Sequence, residues 1–501
     1  MSTRKSTATK IISLLMCALT VLSTVSVLSS CNKEAADTTS SQSVNATVDE
    51  PDRPEVTEAD FGGYEFNVLI SSRSSRTPND FEVKKGTEDT AMGSAVYTRY
   101  LRMLEKYNVN IVCTAQLGGD ERKNEAFATM ETQYNSQTND YDFCVINTYA
   151  VAPITTAGYL YDMNNVPYLD LTKSWWDQTM LGDLTISGSV YFMSGDITTT
   201  VDDYMYCTIF NKKLYEQYIQ DGTDVYELVN NGKWTLDRLK TLSSVLCEDV
   251  DGDDVMTNAD RYGLMTWYDE MYASVQASGG RIAKVNEYGY MELTLQSERN
   301  FDVMRKYMEL ENAPSTINFQ NETLNPGKKF VSIFSEGRAM FFMTILNEVY
   351  RFRDTDVEYG ILPNPKYNEE QENWFCTFSA GLASFTCIPG YQDNIERTGI
   401  IVELLGWEAV DSIKPGYYEH TLNGKLVSDN ESIDSLTVIL ENKFVDIGHY
   451  FTVGKLNSAM WNVAASGTAG TFASEYQTYR DQAIADVNRI NSEFDALKTR
   501  N

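Results

Sequence analysis

From Phe61 onward, the spacing of hydrophobic and polar positions names the elements. Tyr64, Phe66, Val68 and Ile70 recur at every second position, the period of a half-buried strand, and Ser71, Ser72 and Arg73 break it. Val96, Tyr100, Met103, Leu104 and Tyr107 fall at i, i+4, i+7, i+8 and i+11, the stripe of an amphipathic helix over 91–107. A short strand is expected at 110–113 and a second helix at 125–136, and the apolar run Phe143-Cys144-Val145-Ile146 reads as a buried strand. Strands alternating with helices predict an α/β domain with a largely parallel sheet, whose ligands sit in the crevice at the carboxyl ends of the strands. Ser71–Arg73 and Asn147–Tyr149 are therefore candidate cleft residues. Residues 234–247 and 301–310 are helical by pattern, with Thr235 and Arg238 an incomplete capping box. Phe472, Tyr476, Tyr479, Ala483, Val487, Ile490, Phe494 and Leu497 mark a long terminal helix whose stripe reads as core packing.

The N-terminus follows a different pattern. Arg4, Lys5 and Lys10 precede an uncharged run, Ile11 to Ser30, long enough to span a bilayer. Leu28-Ser29-Ser30-Cys31 decides between an anchor helix and a cleaved leader, because it resembles a bacterial lipobox: a branched residue, two small ones and a cysteine that receives lipid. Residues 1–30 are read as a lipoprotein signal peptide and Cys31 as the lipidation site, where two acyl chains give stable anchoring. Residues 31–60 carry Pro51 and Pro54 among Ser, Thr, Asp and Glu, with no aromatic side chain, and are expected to form a disordered acidic tether roughly 30 Å in reach.

Charge narrows the function classes. The 501 residues include 71 acidic and 41 basic side chains, a formal net charge of −30, and loss of Arg4, Lys5 and Lys10 with the signal makes it −33. Such a chain is repelled by phosphate backbones, so no nucleic-acid partner is expected. The two histidines, His420 and His449, leave little room for His-rich zinc sites or a His-dependent triad. No G-x-S-x-G, H-E-x-x-H, Walker loop or G-x-G-x-x-G following a strand occurs. Abundant carboxylates keep glycoside hydrolysis open as a minor alternative.

One acidic segment has ligand spacing. Asp249, Asp251, Asp253, Thr257 and Asp260 occupy positions 1, 3, 5, 9 and 12 of a twelve-residue loop, and Val255 can add its backbone carbonyl at position 7. Position 6 is Asp254 where an EF-hand has glycine, and position 12 is aspartate where it has glutamate; the loop resembles the shorter dockerin-type calcium loop. A structural Ca²⁺ is expected here, against the alternative of a solvated acidic turn. Cys113, Cys144, Cys207 and Cys247 lie in apolar patterns and read as buried free thiols, with Cys376 and Cys387 the favoured partners for any disulfide.

Several ordered segments then add up: Ser194-Gly195-Asp196-Ile197, Phe210-Asn211-Lys212-Lys213-Leu214-Tyr215, Gly232-Lys233-Trp234-Thr235, Tyr262-Gly263-Leu264, Glu336-Gly337-Arg338-Ala339-Met340-Phe341, Tyr359-Gly360-Ile361-Leu362-Pro363 and Ser379-Ala380-Gly381. With the lipoprotein signal and the tether, this series resembles the family-1, maltose-binding-like extracellular solute-binding proteins, the capture subunits of ABC sugar importers, over nearly all of 61–501. The resemblance implies a two-lobed, periplasmic-binding-protein-like (type II) α/β fold with hinge crossings near 202–207 and 378–383. The N-terminal lobe would comprise 61–202 plus about 384–445, and the C-terminal lobe 203–383 plus about 446–501. It implies no enzymatic activity, a carbohydrate ligand (an oligosaccharide), permease subunits as partners, a monomer, and lipid anchoring on the outer face of a Gram-positive membrane. By position in that family, the ligand-binding candidates are Tyr149 after a strand end; Asp202, Asp203 and Tyr204 at the first crossing; Trp267, Tyr268 and Asp269 in the second lobe; Thr344 and Asn347, where relatives carry a stacking tryptophan absent here; and Trp175, Trp176 and Trp461. A peptide or other polar solute, and a glycan-adhesion or glycan-hydrolysing lipoprotein, remain the alternatives.

Overall fold

The computed structural model describes residues 52–499 apart from 73–78, 88, 118–123, 321–328, 424–426, 428 and 468–471. The signal segment, Cys31, the tether up to residue 51, and Arg73 lie outside the described residues. Twelve strands occur among them: β1 (Tyr64–Ser72), β2 (Val109–Leu117), β3 (Phe143–Asn147), β4 (Tyr206–Asn211), β5 (Cys247–Glu248), β6 (Arg261–Thr266), β7 (Ala283–Val285), β8 (Met291–Leu293), β9 (Thr316–Asn318), β10 (Ala339–Ile345), β11 (Tyr359–Leu362) and β12 (Ser384–Cys387). They form two mixed sheets, ordered β12-β3-β1-β2 and β11-β4-β10-β6-β5 with β9 on β6, and a β7-β8 hairpin. β1 is parallel to both β2 and β3, and only β12 is antiparallel in the first sheet.

The helix Ala91–Tyr107 joins β1 to β2. Thr90 starts it by accepting the Gly93 N–H at 3.0 Å, and Asn108 ends it in the left-handed conformation at φ 55°. Its apolar stripe buries Val96, Met103 and Tyr107, so the expected periodicity is the one that packs. Residues 125–136 and 472–497 are also helical at the expected bounds. The 234–247 pattern shortens: the helix runs Leu236–Ser243, capped by Thr235 accepting from Arg238 N at 3.2 Å, and the chain then pairs as β5 against β6.

Two segments cross between the sheets side by side. Tyr206 N donates to Thr377 O and Ser379 N to Tyr204 O, both at 2.9 Å, so the crossings brace one another as an antiparallel pair. Asn147, at the end of β3, donates from its side chain to Gly381 O (3.1 Å) and Ala383 O (3.2 Å), tying the first sheet to the second crossing.

Three expectations change. The helix Asn430–Glu441, placed by sequence with the first lobe, packs on β11 of the second sheet: Ser432 Oγ accepts the outward Ile361 N–H of this edge strand at 3.0 Å and bonds Tyr226 at 2.8 Å. Residues 52–60 lie on the folded body, since Asp52 accepts from Lys173 Nζ (2.9 Å) and Ser174 N (2.8 Å), and Pro54 is buried. Cys247 is exposed, and Cys376 and Cys387 sit in different places. Cys376 bridges to Lys443, and Cys387 lies opposite Cys144 in the β12–β3 ladder; all described cysteines are free thiols. Among the described residues no helix is long and apolar enough to cross a membrane.

Candidate functional site

Two strand ends, one from each sheet, supply the core of the site. At the end of β3, Asn147 Oδ1 accepts the Tyr149 N–H at 3.1 Å and so starts the helix Thr148–Thr156, which leaves Tyr149 half-buried in its first turn. At the end of β6 come Trp267, Tyr268 and Asp269, each half-buried. Trp267 stacks on Phe319 with ring centres 5.8 Å apart and planes 23° apart. Its indole N–H donates to Glu270 Oε1 at 3.0 Å, while Asn364 donates to Oε2 at 2.8 Å. Glu270 is fully buried, and burial pushes its carboxyl up to about 8.

A third element closes the group. In the helix Leu456–Ser466, Asn457 and Trp461 stand one turn apart on one face. Asn457 Nδ2 lies 3.4 Å from the Tyr149 hydroxyl, and Trp461, 37% exposed, meets Tyr268 edge to face at 5.0 Å. Tyr149, Trp267, Tyr268, Asp269 and Trp461 are thus brought together by three separate stretches of chain. The arrangement offers aromatic planes beside hydroxyl, amide and carboxylate groups, which suits a polar ring with an apolar face and a hydrogen-bonding edge.

The remaining candidates form a second group around the first crossing. Asp203 is buried and accepts from Asn347 Nδ2 at 3.2 Å; burial and the nearby Asp80 push its carboxyl up to about 7. Asp203 also lines a cavity of about 230 Å³ with Asp80, Thr90, Thr199, Tyr350 and His420. Asp202 instead pairs with Lys443 at 2.9 Å, and the same ammonium meets Asp177 at 3.1 Å, on the wall of a separate cavity of about 320 Å³.

Four candidates lie buried, apart from the first group. Trp175 and Trp176 are each 1% exposed and donate their indole N–H groups to Glu403 Oε2 at 3.4 and 3.2 Å; they pack into the core beside the cavity of about 320 Å³. Tyr204 is fully buried under the crossing, and Thr344 is buried in β10 opposite Cys207. Sequence reading missed His449 and Asn457, which meet the Tyr149 hydroxyl, Gln276, which meets His449, and Glu270, which holds Trp267. No local motif marks them: His449 and Asn457 meet a partner about 300 residues away, and Glu270, three residues from Trp267, is one carboxylate among many.

At the acidic loop, Asp249, Asp251 and Asp253 each bring a carboxylate oxygen within 4.8 Å of the others. Asp254 takes the left-handed conformation at φ 61° that glycine supplies in an EF-hand. Asp260 differs from expectation: it is buried and its oxygens accept Val250 N (2.9 Å) and Thr257 N (2.6 Å), so it closes the loop itself. Three carboxylates of the expected ligand set thus converge, while Asp260 is turned to backbone N–H groups of its own loop.

No protein-family model matches the chain, and no curated protein does. Solved structures do. The cyclic alpha-maltosyl-1,6-maltose binding protein from Arthrobacter globiformis superposes with a TM-score of 0.54 at 12% identity, covering 87% of this chain and 100% of that one. A cyclo/maltodextrin-binding protein complexed with maltotetraose gives 0.53 at 14% identity over 85% and 96%. An ABC substrate-binding protein from Listeria monocytogenes in complex with cycloalternan gives 0.50 at 13% over 86% and 99%. At such identities the likeness is one of architecture, and in architecture the chain has the two-lobed, mixed α/β fold of the maltose-binding-like solute-binding proteins.

Proposed function

We propose that this protein is a non-enzymatic receptor that captures a carbohydrate, an oligosaccharide, between its lobes and delivers it to an ABC permease, held as a monomer on the outer face of the membrane by acyl chains on Cys31. The observation that carries the reading is the convergence of Tyr149, Trp267, Tyr268, Asp269 and Trp461 from the two strand ends and the helix Leu456–Ser466. Sugar rings stack their C–H faces on such planes and bond their hydroxyl edges to such polar groups. The names of the structural neighbours, which include maltotetraose and cycloalternan complexes, support the same ligand class. Closure of the lobes on the ligand is a population shift driven by contacts made only in the closed state.

A thermal-shift panel of linear and cyclic maltooligosaccharides, monosaccharides, polyols and peptides tests this. A cognate solute at 100 times its dissociation constant adds about 2.7 kcal/mol of stability. A shift with peptides and none with any saccharide overturns the carbohydrate reading. The proposal includes a structural Ca²⁺ on Asp249, Asp251 and Asp253, supported by the converging carboxylates. Calcium is expected to raise the melting temperature of the wild type and not of Asp251→Ala; equal curves with calcium and with chelator overturn it.

A further inference from the structure

The junction between β3 and the helix Thr148–Thr156 does more than present Tyr149; it also grips the bend by which the second crossing enters β12. That bend lies at 379–383, where Leu382 N and Ala383 N both donate to Ser379 O, at 3.1 and 2.9 Å. Its later carbonyls face the end of β3. Asn147 Nδ2 donates to Gly381 O at 3.1 Å and to Ala383 O at 3.2 Å, Thr148 N donates to Ala383 O at 3.2 Å, and the Thr148 hydroxyl donates to Ala380 O. The opposite end of the Asn147 amide accepts Tyr149 N at 3.1 Å. Its orientation is settled by its partners: a backbone N–H can only donate and a carbonyl can only accept, so Oδ1 faces Tyr149 and Nδ2 faces the bend. Asn147 is 3% exposed and Thr148 is fully buried, so water is poorly placed to replace a lost bond. The path continues to the first crossing, since Ser379 N donates to Tyr204 O at 2.9 Å.

We infer that Asn147, with Thr148, is a positioning residue that couples the cleft to the hinge: it fixes the backbone under Tyr149 and the bend at 379–383 to one another, so a solute held at Tyr149 also stiffens the second crossing. The inference rests on the reading of Tyr149 as a cleft residue, and it names what carries the effect of binding away from that site. It also gives the segment Ser379-Ala380-Gly381 a role that its side chains do not suggest, because what this segment contributes is a row of carbonyls. Such a coupling is an energy shared between two places, and it is measured by disturbing one and reading the other.

Hydrogen-exchange mass spectrometry reads it without a ligand. Asn147→Ser keeps an acceptor for Tyr149 N but is too short to reach the bend, and Thr148→Val removes the hydroxyl donor. In the double variant the peptide spanning 379–384 is expected to exchange about tenfold faster, with 148–156 at its wild-type rate. Asn147→Ser alone, the milder change, is expected to act in the same direction with a smaller effect. Wild-type exchange at 379–384 in both variants overturns the inference whatever the ligand. The second arm adds saturating maltotetraose, with binding followed by tryptophan fluorescence. In the wild type the sugar is expected to slow exchange at 148–156 and at 379–384; in the double variant it is expected to slow 148–156 only, with affinity about three- to tenfold weaker. Slowing at 379–384 that persists in the saturated double variant, or an unchanged affinity, overturns the coupling. Failure of the wild type to bind any saccharide overturns the function instead, and the first arm still decides whether Asn147 and Thr148 hold the bend.

Discussion

Two pairs of tryptophans meet two different fates in this molecule. Trp175 and Trp176 lie together just before the helix Gln178–Leu184, each 1% exposed, and both indole N–H groups converge on Glu403 Oε2. Trp267 and Trp461 come from opposite ends of the chain; Trp267 is half-buried with its N–H on Glu270, and Trp461 is 37% exposed. Trp175, Trp176 and Trp267 thus satisfy their indole N–H on a buried glutamate. The difference is what covers the ring faces. Around Trp176 the chain closes on itself: Trp176 bridges to Gly195, where a Cβ would lie 2.2 Å from Trp175 O. Around Trp267 one face is filled by Phe319, and the neighbouring Tyr268 and Trp461 stay partly open. Density of aromatic residues in a sequence therefore says little about ligand contact; what matters is whether the last covering layer is supplied by the protein itself.

The comparison breaks most visibly under truncation in the core. Trp176→Ala removes a side chain with no exposed face and should cost about 3–5 kcal/mol of stability, read by denaturant unfolding. Glycine 195, fixed by close backbone approach, leaves the wall little freedom to collapse into the cavity. A loss below about 1 kcal/mol would show that the pair is not the closed anchor described above.

The open pair should behave in the opposite way. Trp461→Ala removes a ring that is exposed on one side, so stability should change by less than about 1 kcal/mol. Stacking of an aromatic plane is worth about 0.5–1.5 kcal/mol, and saccharide affinity should fall by about three- to tenfold. Unchanged affinity together with a large loss of stability would move Trp461 into the same class as Trp176.

What the sequence revealed of this contrast follows the range of the interactions involved. The helix 91–107 and the terminal helix 472–497 were legible to the residue because their stripes are local and their faces are set by a 3.6-residue period. Tyr149 was singled out by its place after a strand end, whereas Trp267 and Tyr268 were placed only by the family resemblance, since no strand pattern of their own marked the end of β6. Trp175 and Trp176 could not be told from cleft residues, since Glu403 lies 227 residues beyond Trp176. The helix Asn430–Glu441 was misplaced for the same reason: its partner is the unpaired edge of β11, and no property of its own sequence selects one sheet over the other. His449 was visible only as one of two histidines, and its partner Tyr149 stands 300 residues away.

The smallest expected effect tests the two glutamates against each other. Burial raises both, Glu270 to about 8 and Glu403 to about 7, from an ordinary value of 4.5. The folded state therefore holds protons that the unfolded state has released once the pH exceeds 4.5, and stability falls with rising pH across that window. The contribution is fully present below pH 4.5 and is lost through pH 7 for Glu403 and pH 8 for Glu270. Their surroundings differ: the two Glu270 oxygens each accept a side-chain hydrogen bond, whereas both indole donors of Glu403 fall on Oε2. Each carboxylate would keep two side-chain donors on ionising, spread over both oxygens in Glu270 and gathered on one in Glu403. Melting temperatures of the wild type, Glu403→Gln and Glu270→Gln from pH 5 to pH 8.5 separate the cases. Glu403→Gln should flatten part of the decline between pH 5 and 7, and Glu270→Gln part of the decline over the whole range from pH 5 to 8, so that only the Glu270 variant alters the slope above pH 7. Saturating saccharide should shift the Glu270 portion alone, because only that carboxyl holds an indole beside the cleft. A ligand-dependent change in the Glu403 portion would mean that the closed tryptophan pair senses the solute after all.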